Sequence, residues 1–80
     1  MYIVYVLKSL SAEKSYVGFT NNIKERLRQH NSGQNYSSKR YTPWKLIYKE
    51  EFEKREEAIK REKYLKSANG RKIILKKLFK

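Results

Sequence analysis

The apolar and aromatic residues of this chain fall into short dense runs and spaced stripes, separated by segments that are almost wholly polar. The first run, residues 2–7 (YIVYVL), is β-branched and aromatic on both faces. Such a strand must be covered on two sides, which predicts the middle position of a small sheet. The polar stretch 8–14 predicts a hairpin loop, and residues 15–19 (SYVGF) predict the returning strand, with Gly18 near its end. Directly opposed residues of an antiparallel hairpin project to one face. A register that sets Tyr5 against Tyr16 also sets Ile3 against Gly18; a shift of two residues keeps the shared face, and a shift of one destroys it.

After the second strand the period changes. Thr20, Asn21 and Asn22 are candidate N-caps for a helix ending near Asn31, with Gly33 as the stop signal. At 100° per residue, Ile23, Leu27 and His30 fall within about 60° of one another, flanked by Arg26. A lone histidine there reads first as a hydrogen-bonded, partly buried residue; sharing a side with Arg26 makes it a site candidate as well. Residues 32–42 (SGQNYSSKRYT) predict a mobile surface loop, with Lys39 and Arg40 as phosphate contacts and Tyr36 and Tyr41 available to stack on bases.

Beyond Pro43, residues 44–52 (WKLIYKEEF) alternate Trp44, Leu46 and Tyr48 against Lys45 and Lys49, which predicts a third strand with one wetter face. Glu53, Glu56 and Glu57 then precede Lys60, Arg61, Lys63 and Lys66, an order that complements the helix dipole and predicts a helix over 54–66. Glu62 sits about 40° from Ala58, in the middle of the stripe made by Ala58, Ile59 and Leu65. An inward carboxylate costs several kcal/mol unless a cation, a metal or several donors compensate it. Both a salt bridge to Lys or Arg and a bound metal answer that need. Ser67 or Asn69 is placed to cap a last helix running through Ile74 and Leu78 to Phe79, over the sheet.

Together these elements predict an α/β (α+β) fold: a small three-stranded antiparallel sheet flanked by helices, in the order β-β-α-β-α-α. Eighty residues suit one domain, spanning 1–80, at the small end of what folds alone. Without cysteine there is no disulfide framework and no thiolate zinc site, which fits a reducing compartment. No run approaches membrane-spanning length. We therefore expect a soluble, cytoplasmic, monomeric protein.

Charge narrows the function. Twenty Lys and Arg against eight acids leave a formal charge of +12, which favours polyanionic partners, with nucleic acid first among them. All eight acids are glutamates, and the absence of aspartate argues against a two-metal site built from clustered carboxylates.

Ile3-Val4-Tyr5, ten intervening residues, Tyr16-Val17-Gly18, then Arg26, His30 and finally Glu62 within EEAIKREKYLK follow one another over most of the chain. This order resembles the GIY-YIG nuclease superfamily, and in particular its small stand-alone (UPF0213) branch, with its YIG-type strand, RxxxHN helix, PW-led strand and EA-x-x-x-E helix. Here the first triplet reads IVY, and Phe19 stands where the repair-enzyme branch tends to carry lysine. The resemblance implies metal-dependent phosphodiester hydrolysis of nucleic acid, DNA rather than RNA, such as structured DNA in repair or recombination. It implies one divalent cation, Mg²⁺ or Mn²⁺, held by Glu62. It also implies that Tyr5 orients or deprotonates the attacking water, with Tyr16, Arg26 and His30 as the other catalytic groups and Gly18 structural at the site. A phenol with a pKa near 10 is a poor base at neutral pH, so Arg26 is expected to favour the phenolate. The rival reading is a catalytically inactive nucleic-acid-binding module on the same scaffold. Eighty residues leave little surface for specific recognition, so a protein partner supplying specificity is expected in either case.

Overall fold

A computed structural model describes residues 1–33, 39–67, 69–72 and 76. At its centre lies a three-stranded antiparallel sheet in the order β2-β1-β3, where β1 is Tyr2–Ser9, β2 is Ser15–Thr20 and β3 is Trp44–Phe52. Helix α1 (Ile23–Ser32) follows β2, and helix α2 (Arg55–Lys66) follows β3. Residues 69–72 are helical again, so the order β-β-α-β-α-α is the one expected. No described helix is long and apolar enough to cross a membrane.

β1 holds the middle place because both of its faces are apolar. Val4 and Val6 are buried with Val17, Ala58 and Leu65 on the side covered by α2. Tyr5 and Leu7 are buried with Trp44 on the other side, against Ile23 and Leu27 of α1. The two helices thus close opposite faces of one sheet.

The hairpin register sets Tyr5 opposite Gly18, Leu7 opposite Tyr16 and Ile3 opposite Thr20. The expected pairing of Tyr5 with Tyr16 and of Ile3 with Gly18 is therefore displaced by two residues, which preserves the shared face. Volume explains the choice. A Cβ at position 18 would lie 2.6 Å from the Tyr5 hydroxyl oxygen and 2.9 Å from ring carbon Cζ, so the Tyr5 ring occupies the space that glycine leaves empty. β1 also runs further than the apolar pattern suggests. The Ser9 hydroxyl donates to the Tyr41 carbonyl at 2.6 Å and accepts from the backbone N–H groups of Ser11 and Ala12, which ties the hairpin loop to the segment that precedes β3.

In β3 the simple alternation fails. Val6 pairs with Tyr48 but Leu7 with Leu46, so a bulge places Ile47 as an extra residue on the outer strand. Trp44 and Leu46 pack on the α1 side, whereas Ile47, Tyr48 and Phe52 pack on the α2 side. Tyr48 is consequently not on the face it was expected to share with Trp44.

α1 begins as its sequence predicts: the Asn22 side-chain oxygen accepts from the Glu25 N–H at 3.2 Å, and Gly33 adopts φ 82°, the left-handed conformation that ends a helix. The next described segment is not a loop throughout, since Lys39–Tyr41 form a 3-10 turn; Tyr36 lies outside the described residues. Tyr41 is partly buried and packs against the core on the α1 side, where its ring meets Trp44 edge-on at 6.4 Å. Ser67 caps the last helix, its hydroxyl oxygen accepting from the Gly70 N–H at 3.3 Å, while Ile74, Leu78 and Phe79 lie outside the described residues.

One side chain joins α1 to β3. Asn31 donates from its amide nitrogen to the Trp44 carbonyl at 3.1 Å and accepts from the Trp44 N–H at 2.5 Å, pairing with the strand as another strand residue would. Removing it leaves both backbone groups of a buried tryptophan without this partner. Asn31→Ala is expected to cost about 1–3 kcal/mol in urea denaturation; a loss within about 0.5 kcal/mol, the ordinary range for surface substitutions, would show that the clamp contributes nothing.

Candidate functional site

Tyr5 projects from the middle strand toward α1 and is only 1% exposed. A buried phenol needs a hydrogen-bonding partner. It finds His30, whose Nε2 lies 3.2 Å from the Tyr5 hydroxyl oxygen. His30 is itself fully buried, on the inward side of the last turn of α1, as the helical spacing predicts.

Tyr16 completes an aromatic cluster. The diagonal register brings its ring to 6.3 Å from that of Tyr5, nearly parallel, and to 4.6 Å from the His30 imidazole. Trp44 closes the back, its indole edge-on to both Tyr16 and His30 at 6.4 Å. Tyr5, Tyr16 and His30 are thus in mutual contact, with Gly18 against both tyrosines. Trp44 and its clamp Asn31 belong to the same cluster, although the sequence shows them only as a strand residue and a helix end. The available signal was an amide directly after an inward histidine.

Two charged candidates act electrostatically on the same phenol. Arg26, half-buried on α1, acts on both Tyr5 and His30, and Glu62 acts on Tyr5 from α2. Lys39 and Arg40 are exposed on the 3-10 turn that packs against α1. Burial, with Tyr16 beside it, pushes the Tyr5 pKa well above the ordinary phenol range; Arg26 pulls it down, and Glu62 adds to the rise. The expectation that Arg26 favours phenolate is therefore corrected: its pull has the right sign, but burial outweighs it. Tyr5 is a neutral phenol at neutral pH. Burial and then Arg26 lower the His30 pKa below its ordinary value, so the imidazole is neutral as well.

Glu62 resolves its unfavourable position through Lys66, one turn further along α2, whose ammonium lies 3.1 Å from its carboxylate. The Glu62 side chain remains 18% exposed, so solvent reaches it. Among the described residues no three His, Cys, Asp or Glu side chains cluster as a ready-made metal cage. A single accessible carboxylate is nonetheless a fitting donor for Mg²⁺, which keeps much of its water and takes further oxygen ligands from a substrate phosphate.

The neutral state of His30 makes stability depend on pH. Because its folded pKa lies below its unfolded value of about 6.5, the unfolded chain binds more protons between the two. This contribution is complete above about pH 6.5 and is lost as pH falls toward the folded value. The urea midpoint is expected to fall between about pH 7.5 and about pH 5 in the native protein, and to fall distinctly less in His30→Gln. Equal acid losses in the two proteins would remove His30 as the cause.

Comparison with known proteins supplies the last observation. The family model described as "GIY-YIG catalytic domain" matches residues 1–76. A UPF0213 protein of Limosilactobacillus reuteri is 43% identical over 77 residues, covering 88% of this chain and 75% of the relative. Another UPF0213 protein, from Clostridium perfringens, is 43% identical over 70 residues, covering 82% of this chain and 71% of its own. The solution NMR structure of a UPF0213 protein from Bacillus halodurans superposes with a TM-score of 0.56 at 26% identity, over 94% of this chain and 82% of that one. With nearly its whole length matched in this way, the chain belongs to the GIY-YIG family, a family of nuclease type.

Proposed function

We propose that the chain hydrolyses phosphodiester bonds in nucleic acid, structured DNA in our reading, with the help of one divalent cation, Mg²⁺ or Mn²⁺. The hydrogen bond between two buried, neutral groups, the Tyr5 phenol and the His30 imidazole, carries this reading. In the Nδ1–H tautomer, His30 Nε2 accepts the Tyr5 proton. The Tyr5 oxygen then takes a proton from the attacking water as its own proton passes to His30. No phenolate has to exist in a buried place that strongly disfavours it. Tyr5 and His30 thus act as one base rather than two.

Arg26 has two effects in this scheme. Its guanidinium suits two oxygens of the scissile phosphate. In the free protein its charge lowers the basicity of His30, and a bound phosphate compensates that charge, so the imidazole becomes a better acceptor when substrate is present. Tyr16 braces the imidazole from the other side and offers a second hydroxyl to water or phosphate. Glu62 would hold the cation, whose chemistry when bound is Lewis-acid stabilisation of charge on the phosphate and leaving oxygen. Lys39 and Arg40, both exposed, suit contacts to the phosphate backbone further along the strand.

The test is a panel of labelled flaps, junctions, duplexes and single strands incubated with Mg²⁺, Mn²⁺ or chelator. We expect metal-stimulated cleavage of at least one substrate, and a loss of about 100-fold or more in Tyr5→Phe, Arg26→Ala and Glu62→Ala proteins that keep the native circular dichroism spectrum. Full cleavage by Glu62→Ala would sink the metal role. A wild-type protein that binds these substrates but cuts none would replace hydrolysis with the inactive binding module.

A further inference from the structure

β2 is an outer strand, and a cleft of about 460 Å³ opens between it and the C-terminal end of α2. That volume lies in the range of small-ligand sites. Among the described residues, Lys14, Lys66 and Arg71 line the cleft against the single acid Glu13, a local balance of +2 from three cations and one carboxylate. Leu65 supplies an apolar stretch of wall. Tyr16 of β2 is also a lining residue, and its ring packs on Tyr5 and His30.

The cations differ in how committed they are. Lys14 places its ammonium 5.8 Å from the Tyr41 ring centroid, an arrangement that already uses its charge. Arg71 is exposed, in the helical segment that begins beyond Ser67. Lys66 is paired with Glu62 across 3.1 Å, yet its side chain is 53% exposed against 18% for its partner. An exposed lysine pair of this kind is weak, so the ammonium can change partners at small cost.

We infer that this cleft is a second phosphate site, which holds the sugar-phosphate backbone of a nucleic-acid strand and is separate from the phosphate proposed at Arg26. Arg71 and Lys66 bind the phosphate, and Lys14 stands at the rim. The inference rests on the phosphodiesterase reading above for the identity of the strand. It adds a binding surface on the β2 side of the molecule, remote from Lys39 and Arg40 in sequence. The shared chemistry is a phosphate monoanion or diester, so a free nucleotide is the other source to be distinguished.

The experiment is fluorescence anisotropy with a short fluorescein-labelled oligothymidylate in chelator, where no metal-dependent cutting occurs. Arg71→Glu is expected to weaken binding about tenfold and to lower the slope of log affinity against log salt by about one. Lys66→Gln weakens it less, and Arg71→Lys restores the native value. Arg28→Glu, on an exposed part of α1 where Arg28 pairs with Glu25, serves as the control for general charge and is expected to change affinity by less than about threefold. Equal weakening by Arg71→Glu and Arg28→Glu would overturn the site. Displacement of the oligomer by thymidine 5′-monophosphate at equal nucleotide concentration would overturn the strand as its occupant. Cleavage by the wild type together with binding indifferent to Arg71 would reject the cleft alone; Arg71-dependent binding without cleavage of any substrate would reject hydrolysis alone.

Discussion

A phenol cannot be buried without a hydrogen-bonding partner, and the arrangement of this molecule depends on how Tyr5 meets that condition. It lies on the strand that both helices cover, between Val4 and Val6, and its hydroxyl reaches one imidazole nitrogen. For His30 to be there, α1 must end against the start of β3, which the paired hydrogen bonds of Asn31 to Trp44 ensure. For the ring to lie flat, β2 must present glycine opposite it. Cap, clamp, register and strand order are separate local solutions, and each serves this one contact.

The two faces of the sheet divide the work. The α2 face is closed by aliphatic packing of Val4, Val6 and Val17 under Ala58 and Leu65. The α1 face is aromatic and carries the buried hydrogen bond. Close packing of this kind tolerates little displacement, so the aliphatic face fixes the strand whose other side holds the chemistry. The bulge in β3 allows both faces to be filled from a strand that reads as though only one were apolar.

Much of this is legible in the amino-acid sequence, and what is not has physical reasons. The strands, both helices, the Asn22 cap and the Gly33 stop follow from periods and propensities that act within a few residues. The Glu62–Lys66 pair follows from helical spacing alone. Register is different, since parity restricts it to steps of two and only the fit of the Tyr5 ring into the space at Gly18 chooses among them. The bulge is hidden because Trp44, Leu46 and Tyr48 alternate correctly on paper while the partner strand decides where they point. The phenol's protonation state depends on burial, which acts against Arg26 and is a property of the packed molecule. Asn31 as a clamp is a contact across thirteen residues, and its place directly after an inward histidine does not name Trp44 as the partner.

The fit of Tyr5 over Gly18 also limits the routes by which such a sequence can change. Adding any side chain at position 18 first meets the ring, and shrinking the ring first leaves a hole in a close-packed face. Each single step is therefore unfavourable before its compensating partner arrives. Positions 5 and 18 behave as one inherited unit, stable against drift because the intermediate sequences lie uphill on either path.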